Sequence, residues 1–213
     1  MKHQADAQRI NARWLVAWHW AQAACFLGLL ATGLSMHYDD AQQGFLPFRV
    51  SVLAHNWIGV INAGLWLVFV LGNAFGGNGA HYRPKRAHHF RKLWQQIRFY
   101  LYGMFQGEKA PFPPGFDEKF NPVQKFAYLV VMYGLMPLAI ASGLGLLFPL
   151  LAPAQTRGRA GLWYVAVAHL SAGYLMSLFL IFHVYLATTG ETAGAYFREM
   201  LTGMRTSRPP PPR

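Results

Sequence analysis

Four stretches of this chain, about residues 14–36, 52–75, 126–151 and 162–188, contain no Asp, Glu, Lys or Arg. Each approaches or exceeds the roughly 20 apolar residues that cross a bilayer core. In lipid an open strand leaves its backbone unsatisfied, whereas a helix satisfies it internally. Charged residues make up 13% of the chain, well below the roughly 25% of soluble domains. The expected fold class is therefore all-α: an integral membrane bundle of four helices. The first run is too long for a signal-peptide core and lacks a small-residue cleavage site, so it reads as a span. The single Cys25 lies inside it, which excludes a disulfide framework or a Cys-based metal site.

A formal net charge of +11 would suit nucleic acid if it were gathered in one patch, but it is not. Numbered as four spans, the segments on one side (both termini and the middle segment) carry 16 of the Lys and Arg residues, against 3 in the other two loops. The positive-inside rule puts those three segments in the cytoplasm, and attraction to acidic lipid is secondary. No nucleic-acid partner is expected.

The middle segment is more than a turn. In "HHFRKLWQQIRFYLYGMF", about residues 88–105, Phe90, Leu93, Trp94, Ile97, Leu101, Met104 and Phe105 recur at helical spacing. The spacing predicts an amphipathic helix between helices 2 and 3, either lying on the cytoplasmic membrane surface or docking a soluble partner. "KAPFPPGFDEKFNP" reads as a Pro-rich connector, Gly134 and Pro137 predict a bend in span three, and residues 206–213 form a Pro-rich tail after a membrane domain of residues 1–205. No internal repeat is read.

Intramembrane histidines are costly and usually functional, and four lie inside the apolar runs: His19, His55, His169 and His183. The ordinary alternative is a polar side chain bonded to a neighbouring helix. At ~100° and ~1.5 Å per residue, the fourteen residues from His169 to His183 return to nearly the same face about 21 Å along the helix. Counting depth from each entry point pairs His19 with His183 toward the cytoplasm, and His55 with His169 toward the outer side. Paired neutral imidazoles supply the axial ligands of a haem iron, whereas zinc needs more donors than either level offers. Gly33, Gly59, Ala63 and Gly173 are small residues that make room for a macrocycle or for close helix contact. His37 shares the face of His19 but sits beside Asp39 and Asp40 at the headgroup level, so His55 is preferred as the outer ligand.

The same residues carry a family resemblance over nearly the whole chain: "RWLVAWHWAQAACFLGLLATGL", "VLAHNWIGVI", "FNPVQKFAYL" and "AHLSAGYLMSLFLIFHVYLATTGET". The chain resembles the di-haem cytochrome b subunits of respiratory oxidoreductases: formate dehydrogenase gamma, thiosulfate reductase cytochrome b and, more distantly, nickel–iron hydrogenase cytochrome b. The resemblance implies two haem b groups, held by His19 with His183 and by His55 with His169. It implies a menaquinone or ubiquinone site at Asn121, Gln124 and Lys125. It also implies periplasmic partners, an iron–sulfur ferredoxin-like subunit and a molybdopterin catalytic subunit, and a bacterial inner membrane location. Quinone oxidation or reduction would be the chain's own reaction. Asn121-Pro122 also reads as a helix start. Arg13 and Arg49, each six residues before a ligand histidine, suit haem propionates or lipid headgroups. The alternatives are a hydrogenase anchor, a stand-alone b561-type cytochrome, and a haem-free anchor or proton-relay transporter.

Overall fold

The computed structural model describes residues 7–38, 46–76, 89–113, 119–152, 154–156, 158–190, 192 and 194–206. Four helical rods are long and apolar enough to cross a membrane: α1 (Arg13–His37), α2 (Phe48–Phe75), the composite Pro122–Leu147, and α6 (Gly161–Ala187). The all-α membrane bundle is thus the observed class. Large apolar side chains such as Trp57, Val68 and Phe182 point outward, as lipid-facing positions do. The spans begin one to four residues earlier than the hydropathy runs, because the helices take in flanking residues such as Arg13, Arg49 and Lys125 that hydropathy leaves out.

The chain divides into two compact units, Met1–Ile58 with Ser177–Arg213, and Gly59–Met176. In the first, α1 packs against the C-terminal helix α7 (Ala195–Thr202), and the Trp20 indole donates to the Met200 carbonyl at 2.9 Å. Strand β1 (Ala7–Arg9) pairs antiparallel with the last described strand (Met204–Thr206), with Ala7 opposite Thr206 and Arg9 opposite Met204. Thr206 thus belongs to a strand, and the Pro-rich remainder of the tail lies outside the described residues. Gly203 makes the turn into that strand at φ 72°; its carbonyl accepts from Ile10 N at 3.0 Å, and a Cβ there would lie 2.7 Å from the Asn11 carbonyl oxygen.

In the second unit the surface helix α3 (His89–Leu101) is followed by a short 3-10 turn, Gly103–Gln106, and packs against α4 (Pro122–Val130). Its buried face is Leu93, Gln96 and Phe99, whereas Phe90, Trp94, Leu101 and Phe105 are exposed. The sequence stripe therefore splits: Leu93 turns into the protein, and the aromatic residues flanking it face outward. Residues 77–88 and 114–118, including part of the connector, lie outside the described residues.

The bend expected at Gly134 and Pro137 is a π-helical turn, Val131–Leu135, between α4 and α5 (Met136–Leu147). The Met136 N–H reaches back five residues to the Val131 carbonyl. The next donor in that register would be residue 137, and proline has no N–H. The Met132 carbonyl left over accepts instead from the Trp66 indole at 2.8 Å. Beside it Phe69 is fully buried, edge-on to Tyr128 at 5.4 Å. A short hairpin of β2 (Gln155–Thr156) and β3 (Arg159–Ala160) leads into α6, and the terminal strand Met204–Thr206 is accordingly β4.

Candidate functional site

His19 lies on the second turn of α1 and His183 near the end of α6, and the first unit brings them together. Their ring centroids are 6.2 Å apart at an interplanar angle of 44°. With metal–imidazole bonds of about 2 Å, two rings gripping one metal ion from opposite faces have centroids about 6 Å apart. Aromatic rings flank both: Trp20 edge-on to His19 at 5.3 Å, and Phe179 tilted over His183 at 5.4 Å. Nδ1 of His19 is buried and has no hydrogen-bond partner among the described residues.

The other two histidines are held differently. In the first unit, His55 Nδ1 lies 2.9 Å from the Thr32 hydroxyl, which is 2.7 Å from the Gly28 carbonyl one turn back. In the second unit, His169 Nδ1 lies 3.1 Å from both the Ser142 hydroxyl and the Ala139 carbonyl, and Ser142 donates to the Leu138 carbonyl at 2.6 Å. A glycine follows each hydroxyl. A Cβ on Gly33 would sit 3.5 Å from His55 Cε1, and one on Gly143 would sit 3.1 Å from His169 Cε1. Gly33 therefore lies beside an imidazole edge, a more specific place than general room for a macrocycle; Gly173 has open space where a Cβ would be.

Asn121, Gln124 and Lys125 stand together at the start of α4. Asn121 Oδ1 accepts from the Gln124 backbone N–H at 2.9 Å, and Gln124 Oε1 accepts from the Asn121 backbone N–H at 3.0 Å. This reciprocal capping box with Pro122 in the first turn is the helix start read from the sequence. Asn121 Nδ2 also donates to the Tyr100 hydroxyl on α3 at 2.9 Å. Burial pushes the Tyr100 phenol pKa up, while hydrogen bonds with Asn121 and Gln96 pull it the other way. Tyr100 was not legible as a member of this group, because only the α3–α4 packing brings it there. Lys125 is half-buried one turn along. His37, in the last turn of α1, is exposed and edge-on to Tyr38 at 4.9 Å, and Arg13 and Arg49 are exposed at the starts of α1 and α2.

Neutral imidazoles offered singly or in a pair, with a glycine against a ring edge, fit axial haem ligation. Among the described residues no three His, Cys, Asp or Glu side chains converge. Thr32 and Ser142 are the histidine-bonded residues that sequence reasoning missed. The signal was a short repeat, Ala31-Thr32-Gly33-Leu34 and Ala141-Ser142-Gly143-Leu144, although no internal repeat was expected.

Comparison with known proteins agrees with the donor chemistry. Residues 12–203 match the family described as prokaryotic cytochrome b561. The Escherichia coli (strain K12) protein named "Putative cytochrome YdhU" is 39% identical over 186 residues, which cover 87% of this chain and 70% of the relative. These matches support a membrane cytochrome b without selecting one respiratory subunit type. The chain belongs to the prokaryotic cytochrome b561 family, as a multi-pass membrane protein of haem b electron transfer.

Proposed function

We propose that this chain is the di-haem b membrane subunit of a respiratory oxidoreductase, passing electrons between the quinone pool and an iron–sulfur/molybdopterin partner on the periplasmic side of a bacterial inner membrane. The observation that carries the reading is the His19–His183 pair, whose 6.2 Å centroid separation suits two axial imidazoles on one metal. The depth count along the sequence assigns His55 and His169 to the second haem.

Haem b, when bound, supplies the one-electron redox chemistry. The chain's residues would hold and orient it: imidazoles would supply the ligating nitrogens, and Trp20 and Phe179 set aromatic rings against the first pair. For the quinone we infer a site at the head of α4. Tyr100, Asn121 and Gln124 form one polar group there, and Lys125 adds a cation beside it. Since Oδ1 of Asn121 is committed to the cap, Tyr100 and the Gln124 amide nitrogen are the donors best placed for a quinone oxygen.

The test is a reduced-minus-oxidised spectrum with a pyridine haemochrome count on the purified chain. Two haem b per chain are expected, and one haem or none overturns the di-haem reading. His183→Ala should remove one haem and disturb quinone binding, and His169→Ala should remove the other. Two haems retained in both variants would retire the ligand assignment. Asn121→Ala should weaken a quinone-analogue inhibitor with an unchanged haem spectrum, and unaltered inhibition would remove that residue from the site.

The family match is equally consistent with a second reading, a stand-alone b561-type cytochrome. Purification in mild detergent separates the two. An iron–sulfur subunit in stoichiometric amount supports the complex, and a chain that emerges alone with full haem supports the stand-alone cytochrome.

A further inference from the structure

The two histidines outside the close pair are held by the same device, built twice. Thr32 has one hydroxyl hydrogen, and at 2.7 Å from the Gly28 carbonyl it is spent there, because a carbonyl only accepts. The lone pairs of Thr32 Oγ1 then face His55 Nδ1 at 2.9 Å, so the hydrogen in that contact belongs to the imidazole. His169 gives the same answer more directly. Its Nδ1 faces the Ala139 carbonyl at 3.1 Å, which requires a hydrogen on Nδ1, and the Ser142 hydroxyl is spent on the Leu138 carbonyl at 2.6 Å. In both rings the hydrogen sits on Nδ1 and the ligating lone pair on Nε2.

The repetition reaches the backbone. Each hydroxyl is bonded to the carbonyl four residues back in its own helix, a geometry that fixes its rotamer. Each is followed by a glycine against Cε1 of the clamped ring, and each histidine lies on the next membrane-crossing helix. One clamp stands wholly in each compact unit. In the close pair, by contrast, Nδ1 of His19 is buried without a hydrogen-bond partner among the described residues.

We infer that Thr32, and Ser142 together with the Ala139 carbonyl, are positioning groups that set the tautomer, ring orientation and basicity of His55 and His169 as ligands, so that the haem they would serve is tuned by helix hydroxyls. This rests on the proposed haem function and adds to it the residues that act through the ligands. A hydrogen-bond acceptor on the remote ring nitrogen raises a ligand's basicity. A more basic imidazole favours the oxidised iron, so loss of the acceptor raises the midpoint potential.

The experiment is a redox titration, with low-spin ferric EPR, of the full chain in detergent. Wild type is compared with Thr32→Val, Ser142→Ala, Thr32→Ser and Ser142→Thr. In Thr32→Val and Ser142→Ala the midpoint of one haem should rise and its EPR signal should move, with the other haem unchanged. Thr32→Ser and Ser142→Thr should return both readouts to wild type. Loss of one haem in Thr32→Val that Thr32→Ser restores supports the same conclusion. Unmoved potentials and EPR in Thr32→Val and Ser142→Ala, or a Thr32→Ser variant that behaves like Thr32→Val, overturn the clamp while leaving the haem function standing. A wild-type chain with no b-type spectrum overturns the function and the clamp together.

Discussion

Gly33 and Gly143 occupy matching places beside clamped imidazoles, yet they differ by a few tenths of an ångström in what they tolerate. A methyl on Gly33 would meet His55 Cε1 at 3.5 Å, ordinary van der Waals contact, whereas one on Gly143 would meet His169 Cε1 at 3.1 Å. His169 has little freedom to retreat, because Nδ1 is tied to both Ser142 and Ala139. Gly143→Ala should therefore displace the ring and lower haem occupancy or alter the spectrum, and Gly33→Ala should leave both near wild type. Absorption spectra of the two variants at equal protein concentration check this; equal effects would contradict it. The histidines were legible because an imidazole in an apolar run costs too much to be incidental. Thr32 and Ser142 were not, since a hydroxyl in a membrane helix ordinarily satisfies itself on its own backbone. Theirs do so as well, and only the packing of the next helix reveals the second bond.

At the scale of an element, the span from Pro122 to Leu147 shows how far local signals reach. Asn121 and Pro122 announce the helix start, and the capping box forms as that pattern implies. Gly134 and Pro137 announce a break in regularity, but the sequence does not say that it resolves as a π turn. Nor does it say that an indole from α2 satisfies the carbonyl that Pro137 leaves over. That pairing depends on the register of two helices more than sixty residues apart in sequence. Trp66→Phe keeps an aromatic ring and removes the donor, leaving the Met132 carbonyl exposed to lipid or buried without a partner. The expected cost is about 1–3 kcal/mol, measurable as a lower unfolding midpoint in detergent. A midpoint equal to wild type would mean that the π turn satisfies itself. The stripe of α3 is the contrasting case. Spacing finds the helix, yet it cannot choose between the face that packs on α4 and the face left exposed, because both carry aromatic residues.

For the molecule as a whole, charge and strand pairing bear on the same question from independent directions. The pairing of β1 with β4 ties residues near the two ends into one sheet. It is reinforced by the Arg205–Glu199 ion pair at 2.7 Å, whose side chains are only 13% and 12% exposed. Both ends must then lie on one side of the membrane, as an even number of spans requires. For the side itself we propose the cytoplasm, which the positive-inside rule implies for a Lys and Arg distribution of 16 against 3. Reporter fusions that fluoresce only in the cytoplasm should therefore light up at either terminus and stay dark when inserted between Arg157 and Arg159. A bright N-terminal fusion with a dark C-terminal one would break the four-span topology, whereas two dark termini would keep the topology and reverse its orientation. Gly203 supplies a finer version of the test. With φ at 72° and the Asn11 carbonyl in the way, Gly203→Val cannot keep the turn and should release β4 from β1. Proteases added from the cytoplasmic face should then cut near residue 203 in the variant and spare it in wild type. Equal protection would show that α7 alone, held to α1 through Trp20 and Met200, suffices to keep the C-terminal segment in place.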